Sequence, residues 1–167
     1  KPARGAKPEL DVQSAKSLYH HCMPEIIGVD HIYLTVADLF LSETFYDRVF
    51  PALGFRKSRF QIGGDDHVQY YNRHFGYVLR PARSGSNHDP YAPGLHHLCL
   101  RVESVADVTA AATALGRAGI DVSEPRHFAE YAADYWAIFF SDPDGIRLEV
   151  TNYRQERRER FEHWTNP

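Results

Sequence analysis

The sequence of 167 residues has few of the features that mark disulfide-rich, membrane-bound or nucleic-acid-binding proteins. It contains only two cysteines, Cys22 and Cys99, too few for a disulfide framework in a chain of this length. The net charge is −3, without the basic excess that nucleic acid or an anionic membrane surface would require. No apolar run approaches the length that crosses a bilayer. We therefore expect one cytoplasmic folded domain with no nucleic-acid or membrane partner.

The first 22 residues differ in composition from the rest of the chain. They contain prolines, a glycine and several basic residues, show only a weak apolar pattern, and lack the apolar core of a secretory signal. Met23, the only methionine, follows them directly. We interpret residues 1–22 as an N-terminal extension, with a non-native origin and a flexible native segment as the two open interpretations. The folded domain is expected over residues 23–153.

Two segments of the chain repeat one pattern 66 positions apart, residues 29–36 and residues 95–102. In both, a histidine stands five residues before a valine, and apolar residues alternate with other residues in between. Alternation of period two is typical of a strand with one packed face. The two histidines, His31 and His97, are therefore predicted on the non-core faces of two corresponding strands.

The order of predicted elements can be read twice along the chain. The first half has a strand, a helix and three strands, at residues 27–36, 38–53, 55–61, 68–72 and 75–80. After a linker at 81–94, the second half has the same order, at residues 95–102, 104–118, 120–126, 135–141 and 146–151. Residues 154–167 form a predicted helical tail. Because one βαβββ half is too small for a large core, we expect the halves to pack together or against another copy.

The last predicted strand adds a carboxylate to the two histidines. It has Leu148 and Val150 on one face and Glu149 on the other. Taken singly, a strand histidine usually has a structural hydrogen bond, and Glu149 would pair with Arg147. The equivalent places of the two histidines in the repeat favour a common role instead. Two histidines and one glutamate suit a divalent metal with open coordination positions.

His96 stands next to His97 and competes with it as a ligand. Strand alternation puts His96 on the side of Leu98 and Leu100, which is the predicted core side. His97, in contrast, matches His31 both in alternation and in its distance from the following valine. We therefore predict His97, and not His96, as the ligand.

Two short sequence motifs resemble those of a known protein superfamily. Residues 142–149 read Asp-Pro-Asp-Gly-Ile-Arg-Leu-Glu, and residues 94–97 read Gly-Leu-His-His. With the paired βαβββ pattern, they resemble the vicinal oxygen chelate superfamily, which includes glyoxalase I, extradiol dioxygenases, fosfomycin-modifying transferases and bleomycin-resistance proteins. The resemblance covers residues 26–153. It implies an α+β fold in which the repeats, residues 26–80 and 95–153, form cupped mixed sheets.

The resemblance also implies a site in the concavity of the cup. A divalent metal (Fe, Mn, Ni, Zn or Co) there would chelate neighbouring oxygens of a small-molecule substrate, with His31, His97 and Glu149 as ligands. Glu149 and Tyr135 are the candidate catalytic residues. Candidate substrate-binding residues are Tyr33, Thr35, Arg101 and Tyr77. A homodimer is expected, because a cupped sheet has edges that need covering and relatives of this length usually pair.

The reaction is left open between several members of the superfamily. Glyoxalase I takes two ligands from each half, but residues 75–80 contain no Asp or Glu. A site with three ligands is more similar to the sites of extradiol dioxygenases and fosfomycin transferases. Extradiol dioxygenases, however, have a tyrosine where residues 137–140 read Ala-Ile-Phe-Phe. The cationic cluster of fosfomycin transferases is not found in this sequence. We therefore expect a metal-dependent lyase-type or dioxygenase-type enzyme. A non-catalytic drug- or metabolite-binding protein, as in bleomycin resistance, is the alternative from another class.

Overall fold

The chain folds into two βαβββ modules and a short terminal helix. A computed structural model describes residues 25–85 and 87–165, so the predicted extension at 1–22 lies outside the described residues. The first module consists of β1 (His31–Val36), α1 (Leu39–Ala52), β2 (Arg56–Ile62), β3 (Asp65–Tyr71) and β4 (Gly76–Pro81). The second consists of β5 (His97–Val102), α2 (Val105–Arg117), β6 (Arg126–His127), β7 (Trp136–Ser141) and β8 (Arg147–Asn152), and α3 (Gln155–Glu162) follows.

Each module has one four-stranded mixed sheet with the same topology. The strand orders are β1-β4-β3-β2 and β5-β8-β7-β6. In both sheets the first strand pairs in parallel with the last, and the other pairs are antiparallel. The predicted α+β fold of two βαβββ repeats with mixed sheets is therefore confirmed. Within the described part of the chain, no helix is long and apolar enough to span a membrane.

Side-chain caps set where the two large helices begin. The Asp38 side chain accepts a hydrogen bond from the backbone N–H of Leu41 at 2.9 Å, at the start of α1. Ser104 and Asp107 form a reciprocal capping box at the start of α2. These contacts satisfy backbone N–H groups that have no partner in the first turn of a helix. Both helices agree with the predicted ranges within two residues at each end.

The strand predicted at residues 120–126 is mostly absent from the structure. Only Arg126–His127 forms a strand, which pairs with Ala137 and Trp136. Pro125 has no N–H to donate to a ladder. The segment before it is joined to β7 through Ser123, whose backbone N–H donates to Phe139 O and whose hydroxyl accepts from Phe139 N, both at 2.9 Å.

The two modules share one hydrophobic core. Helix α1 contributes Tyr46 and Phe50, helix α2 contributes Val108 and Leu115, and the two helices contact each other. The core-facing residues of the sheets include Leu34, Val36, Leu79, Leu148 and Val150. On β1 and β5 the alternate residues, His31, Tyr33, Thr35, His97, Cys99 and Arg101, are exposed. The packing therefore leaves the histidine-bearing face of each sheet outside this core.

A buried polar contact joins the second module's Asp-Pro-Asp-Gly turn to the first module. The Tyr46 hydroxyl donates to Asp142 Oδ2 at 2.9 Å, and the Tyr77 hydroxyl lies 3.0 Å from the Tyr46 hydroxyl. Asp144 Oδ2 accepts from the backbone N–H of Ala37 at 3.0 Å. Aspartates in such a segment are common turn formers. The structure shows that they also hold the modules in their relative position.

We expect Tyr46→Phe to lower the free energy of unfolding by about 1–3 kcal/mol, because it leaves a buried Asp142 oxygen without its side-chain donor. Urea denaturation of the two proteins measures the change. Tyr77→Phe is the matched control, since among the described residues the Tyr77 hydroxyl bonds only to the Tyr46 oxygen. A larger loss in Tyr77→Phe than in Tyr46→Phe would contradict the assignment.

Candidate metal centre

His97 and Glu149 meet on the exposed face of the second sheet. His97 is the first residue of β5, and Glu149 lies in the middle of β8, paired in parallel register with Cys99. Residues two apart on a strand share a face, so His97 and Glu149 are diagonal neighbours. His97 Nε2 lies 3.5 Å from Glu149 Oε2, and the Glu149 side chain is only 4 % exposed.

Tyr135 holds the other oxygen of the same carboxylate. Its hydroxyl donates to Glu149 Oε1 at 2.5 Å. Burial and this hydrogen bond raise the pKa of Tyr135 above its ordinary value, which keeps the phenol protonated as a donor. Tyr135 thus fixes one oxygen of the carboxylate, and Oε2 is left facing His97.

The Glu149 carboxylate is buried without a cationic side chain. Among the described residues its ion-pair neighbour is His97, and the predicted alternative partner, Arg147, instead stacks over the Phe139 ring at 4.1 Å. Buried carboxylates are normally paired with a cation or bound to a metal. Two ligand atoms bound at about 2.1 Å with a tetrahedral angle lie about 3.4 Å apart. The observed 3.5 Å therefore fits two ligands of one divalent ion.

His31 occupies the corresponding place in the other sheet. It is the first residue of β1, pairs with Gly76, and has a half-exposed side chain. Within residues 25–85 and 87–165 of a single chain, no three His, Cys, Asp or Glu side chains are grouped closely enough to hold a metal ion. The structure thus brings together His97, Glu149 and Tyr135 of the predicted site, but leaves His31 apart from them in the chain.

The strand register identifies which residue of the first module corresponds to Glu149. His31 pairs with Gly76 as His97 pairs with Arg147, and two residues further along Tyr33 pairs with Val78 as Cys99 pairs with Glu149. Val78 is buried. The first module therefore has valine where the second has its carboxylate.

Cys99 lies beside the candidate ligands but remains a thiol. Desolvation by the surrounding protein and the neighbouring Glu149 carboxylate raise the pKa of Cys99 to about 12. The thiolate is the form that binds metals and acts as a nucleophile. In the metal-free protein Cys99 is therefore a protonated thiol at neutral pH.

The predicted substrate-binding residues have different environments. The Tyr33 ring lies 5.3 Å from the His31 ring, and Thr35 is exposed on the same face. The Arg101 guanidinium lies 4.0 Å above the Tyr153 ring. Tyr77 is fully buried in the core, where it bonds to Tyr46, so its prediction as a cavity residue was wrong.

His96 also differs from the prediction. It is exposed and lies just before the first residue of β5, so strand alternation does not extend to it and it is not on the core side. Its Nδ1 lies 2.7 Å from His97 Nδ1. Asp30 has the equivalent place before β1, where its Oδ2 accepts from His31 Nδ1 at 2.7 Å. Sequence reasoning missed both contacts, although the repeat aligns the two residues.

Comparison with known proteins identifies the family of the chain. The family model of the Glyoxalase/Bleomycin resistance protein/Dioxygenase superfamily matches residues 28–150. The chain is 27 % identical over 150 residues to "Virulence protein STM3117" of Salmonella typhimurium, a match that covers 86 % of this chain and 97 % of the relative.

Solved structures show the same fold. A glyoxylase/bleomycin resistance protein/dioxygenase domain from Frankia sp. EAN1pec has a TM-score of 0.63 and 27 % identity, and the match covers 78 % of this chain and 100 % of that one. A lactoylglutathione lyase from Agrobacterium tumefaciens has a TM-score of 0.54 and 20 % identity, over 77 % of this chain and 94 % of that one. The chain therefore belongs to the Glyoxalase/Bleomycin resistance protein/Dioxygenase superfamily.

Proposed function

We propose that this protein is a divalent-metal-dependent enzyme whose ligands are His31, His97 and Glu149. Its substrate is a small molecule with two neighbouring oxygens. The observation that carries the proposal is the Glu149 carboxylate, which is buried without a Lys or Arg partner in the described residues and faces His97 Nε2 at 3.5 Å. Burying a carboxylate without a permanently charged cationic partner is costly, and a bound cation reduces that cost.

We further infer that each site is shared by two chains of a homodimer, with His31 from one chain and His97 and Glu149 of the partner subunit. In one chain the modules pack through their helices, and the histidine-bearing faces remain exposed. Large apolar residues close in sequence to the two histidines are also exposed, namely Ile27, Val29, Tyr33 and Leu95. Exposed apolar surface of this kind is typical of protein interfaces.

The residues around the candidate centre have separable roles in this proposal. When bound, a divalent ion supplies Lewis-acid polarisation and a template for two substrate oxygens. Tyr135 holds Oε1 of Glu149, which orients Oε2 towards His97. A concavity of about 420 Å³ beside His31, lined in part by Gln69, Tyr71 and Arg73, provides room for a small substrate.

Protein purified under anaerobic conditions is expected to contain metal, and Glu149→Gln is expected to weaken metal affinity by more than about 100-fold, since even outer-shell changes cost 10–100-fold. Elemental analysis and the rise in melting temperature on adding Fe(II), Mn(II), Ni(II) or Zn(II) measure this. Glu124→Gln, at an exposed carboxylate outside the proposed ligand set, is the control.

The same measurement separates the proposed enzyme from a binding protein. Iron with oxygen consumption would identify the dioxygenase-type reaction, because two histidines and one carboxylate form the site of non-haem Fe(II) oxygenases. A protein that contains no metal and whose melting temperature no metal raises would refute the metal-dependent enzyme. It would favour a drug- or metabolite-binding protein.

A further inference from the structure

We propose that Asp30 and His96 are positioning residues that hold the ligands His31 and His97 in the tautomer with an unprotonated Nε2. The inference rests on the proposed metal site and assigns roles to two residues outside its ligand set. Metal-bound histidines usually donate their other ring N–H to a fixed acceptor, which sets the tautomer and the ring orientation. Asp30 and His96 each lie 2.7 Å from Nδ1 of the neighbouring ligand, where they can supply such an acceptor.

The first pair has an unambiguous direction. His31 Nδ1 and Asp30 Oδ2 are 2.7 Å apart. An ionised carboxylate can only accept hydrogen bonds, so His31 Nδ1 carries the proton and donates it. In a neutral imidazole the other nitrogen then has a free lone pair. His31 therefore presents Nε2 as its metal-binding atom.

The second pair has the same geometry with a different acceptor. His97 Nδ1 and His96 Nδ1 are 2.7 Å apart, and two ring nitrogens at this distance share a single proton. His97 Nε2 lies 3.5 Å from Glu149 Oε2, beyond an ordinary hydrogen bond. A metal-bound Nε2 cannot carry a proton, so in the metal-bound protein the shared proton belongs to His97 Nδ1, and His96 is the acceptor.

Local structure explains why the residue before each histidine can reach it. His31 and His97 are the first residues of β1 and β5, so the preceding residue lies outside the strand and is not held on the opposite face. The His96 ring is also packed edge-on against Tyr91, with centroids 5.7 Å apart. The repeat thus places an acceptor at the same position twice, although the two side chains differ chemically.

The two acceptors are expected to differ in strength. The hydrogen bond to the Asp30 carboxylate is charge-assisted and stronger than one to a neutral imidazole. Removal of Asp30 should therefore weaken metal binding more than removal of His96. Both losses are expected within the range of about 10–100-fold that outer-shell changes produce.

Four variants separate loss of the acceptor from loss of the side chain. Asp30→Ala and His96→Phe remove the acceptor, and the phenylalanine keeps a ring against Tyr91. Asp30→Asn and His96→Asn retain an acceptor oxygen. Zn(II) affinity, measured by competition with a chelator, should fall about 10–100-fold in the first two variants and recover most of this loss in the two asparagine variants.

Ring-nitrogen NMR of the metal-free protein gives a readout that does not depend on metal binding. His31 of the wild type should show a protonated Nδ1 and an unprotonated Nε2, and this preference should be lost in Asp30→Ala. In the Zn(II)-loaded protein, the His97 Nδ1–H should be protected from exchange with solvent in the wild type and lose this protection in His96→Phe. A wild-type Nε2–H tautomer at His31, or unchanged Zn(II) affinity in both acceptor-free variants, would overturn the inference. Wild-type protein with the expected tautomers but no Zn(II) affinity would instead refute the proposed function.

Discussion

An equimolar mixture of His31→Ala chains and Glu149→Ala chains is expected to bind about a quarter of the metal that the wild type binds, although neither variant binds it alone. The reason is the symmetry of a shared site. In a dimer of one chain of each kind, one site loses both residues and the other keeps all three ligands. Half of randomly exchanged dimers are of this mixed kind, so about a quarter of all sites are intact.

The measurement mixes the metal-free variants under conditions that allow subunit exchange and determines bound metal after desalting. A matched control is the mixture of His97→Ala with Glu149→Ala. Since His97 and Glu149 lie on the same sheet of one chain, 3.5 Å apart, no mixed dimer of this pair contains an intact site. Equal metal content in the two mixtures would contradict a shared site. A monomer in sedimentation at micromolar concentration would contradict the dimer itself.

Much of the fold could be predicted because its signals are local. The strand containing His31 alternates apolar and polar residues, and helix α1 has a capping aspartate at its start, so each pattern identifies its own element. The missing strand before β6 is different. The apolar residues of 120–126 fit the alternation of a strand, but Pro125 has no backbone N–H to donate to a neighbouring strand. Whether this segment pairs also depends on the position of β7, which the local sequence does not encode.

The error at Tyr77 has a similar cause. Four consecutive residues of β4, Gly76–Leu79, are all buried, so alternation along this strand does not reveal which face each residue occupies. The register with β1 resolves the faces: Gly76 and Val78 pair with His31 and Tyr33, and Tyr77 lies between them on the core side. When both faces of a strand are buried, its sequence does not show which residues face the core.

The site itself could be predicted only within one module. His97 and Glu149 come together because parallel pairing of β5 with β8 is a property of the repeat. The distance of His31 from this pair depends on how one module packs against another, within one chain or between two chains. No local pattern distinguishes these two arrangements, which is why the mixing experiment is informative.

The protein is expected to be a poor glyoxalase I, with a turnover far below the enzyme median of about 10 per second. Isomerisation of the methylglyoxal–glutathione hemithioacetal moves a proton between adjacent carbons and needs a base beside the metal. Glu149 cannot easily serve both purposes, because Tyr135 holds Oε1 and Oε2 faces His97. The position that corresponds to it in the first module is Val78, which has no base.

Thioester formation by the metal-loaded protein is the deciding assay. Two variants test whether the missing carboxylate base causes the low turnover. Val78→Glu places a carboxylate at the position that corresponds to Glu149, and it should raise turnover above the wild type. Val78→Gln, of nearly the same size but without a base, should not. Wild-type turnover near the enzyme median would show that another base operates. Folded Val78→Glu protein with no gain over Val78→Gln would show that the missing carboxylate is not what limits this reaction.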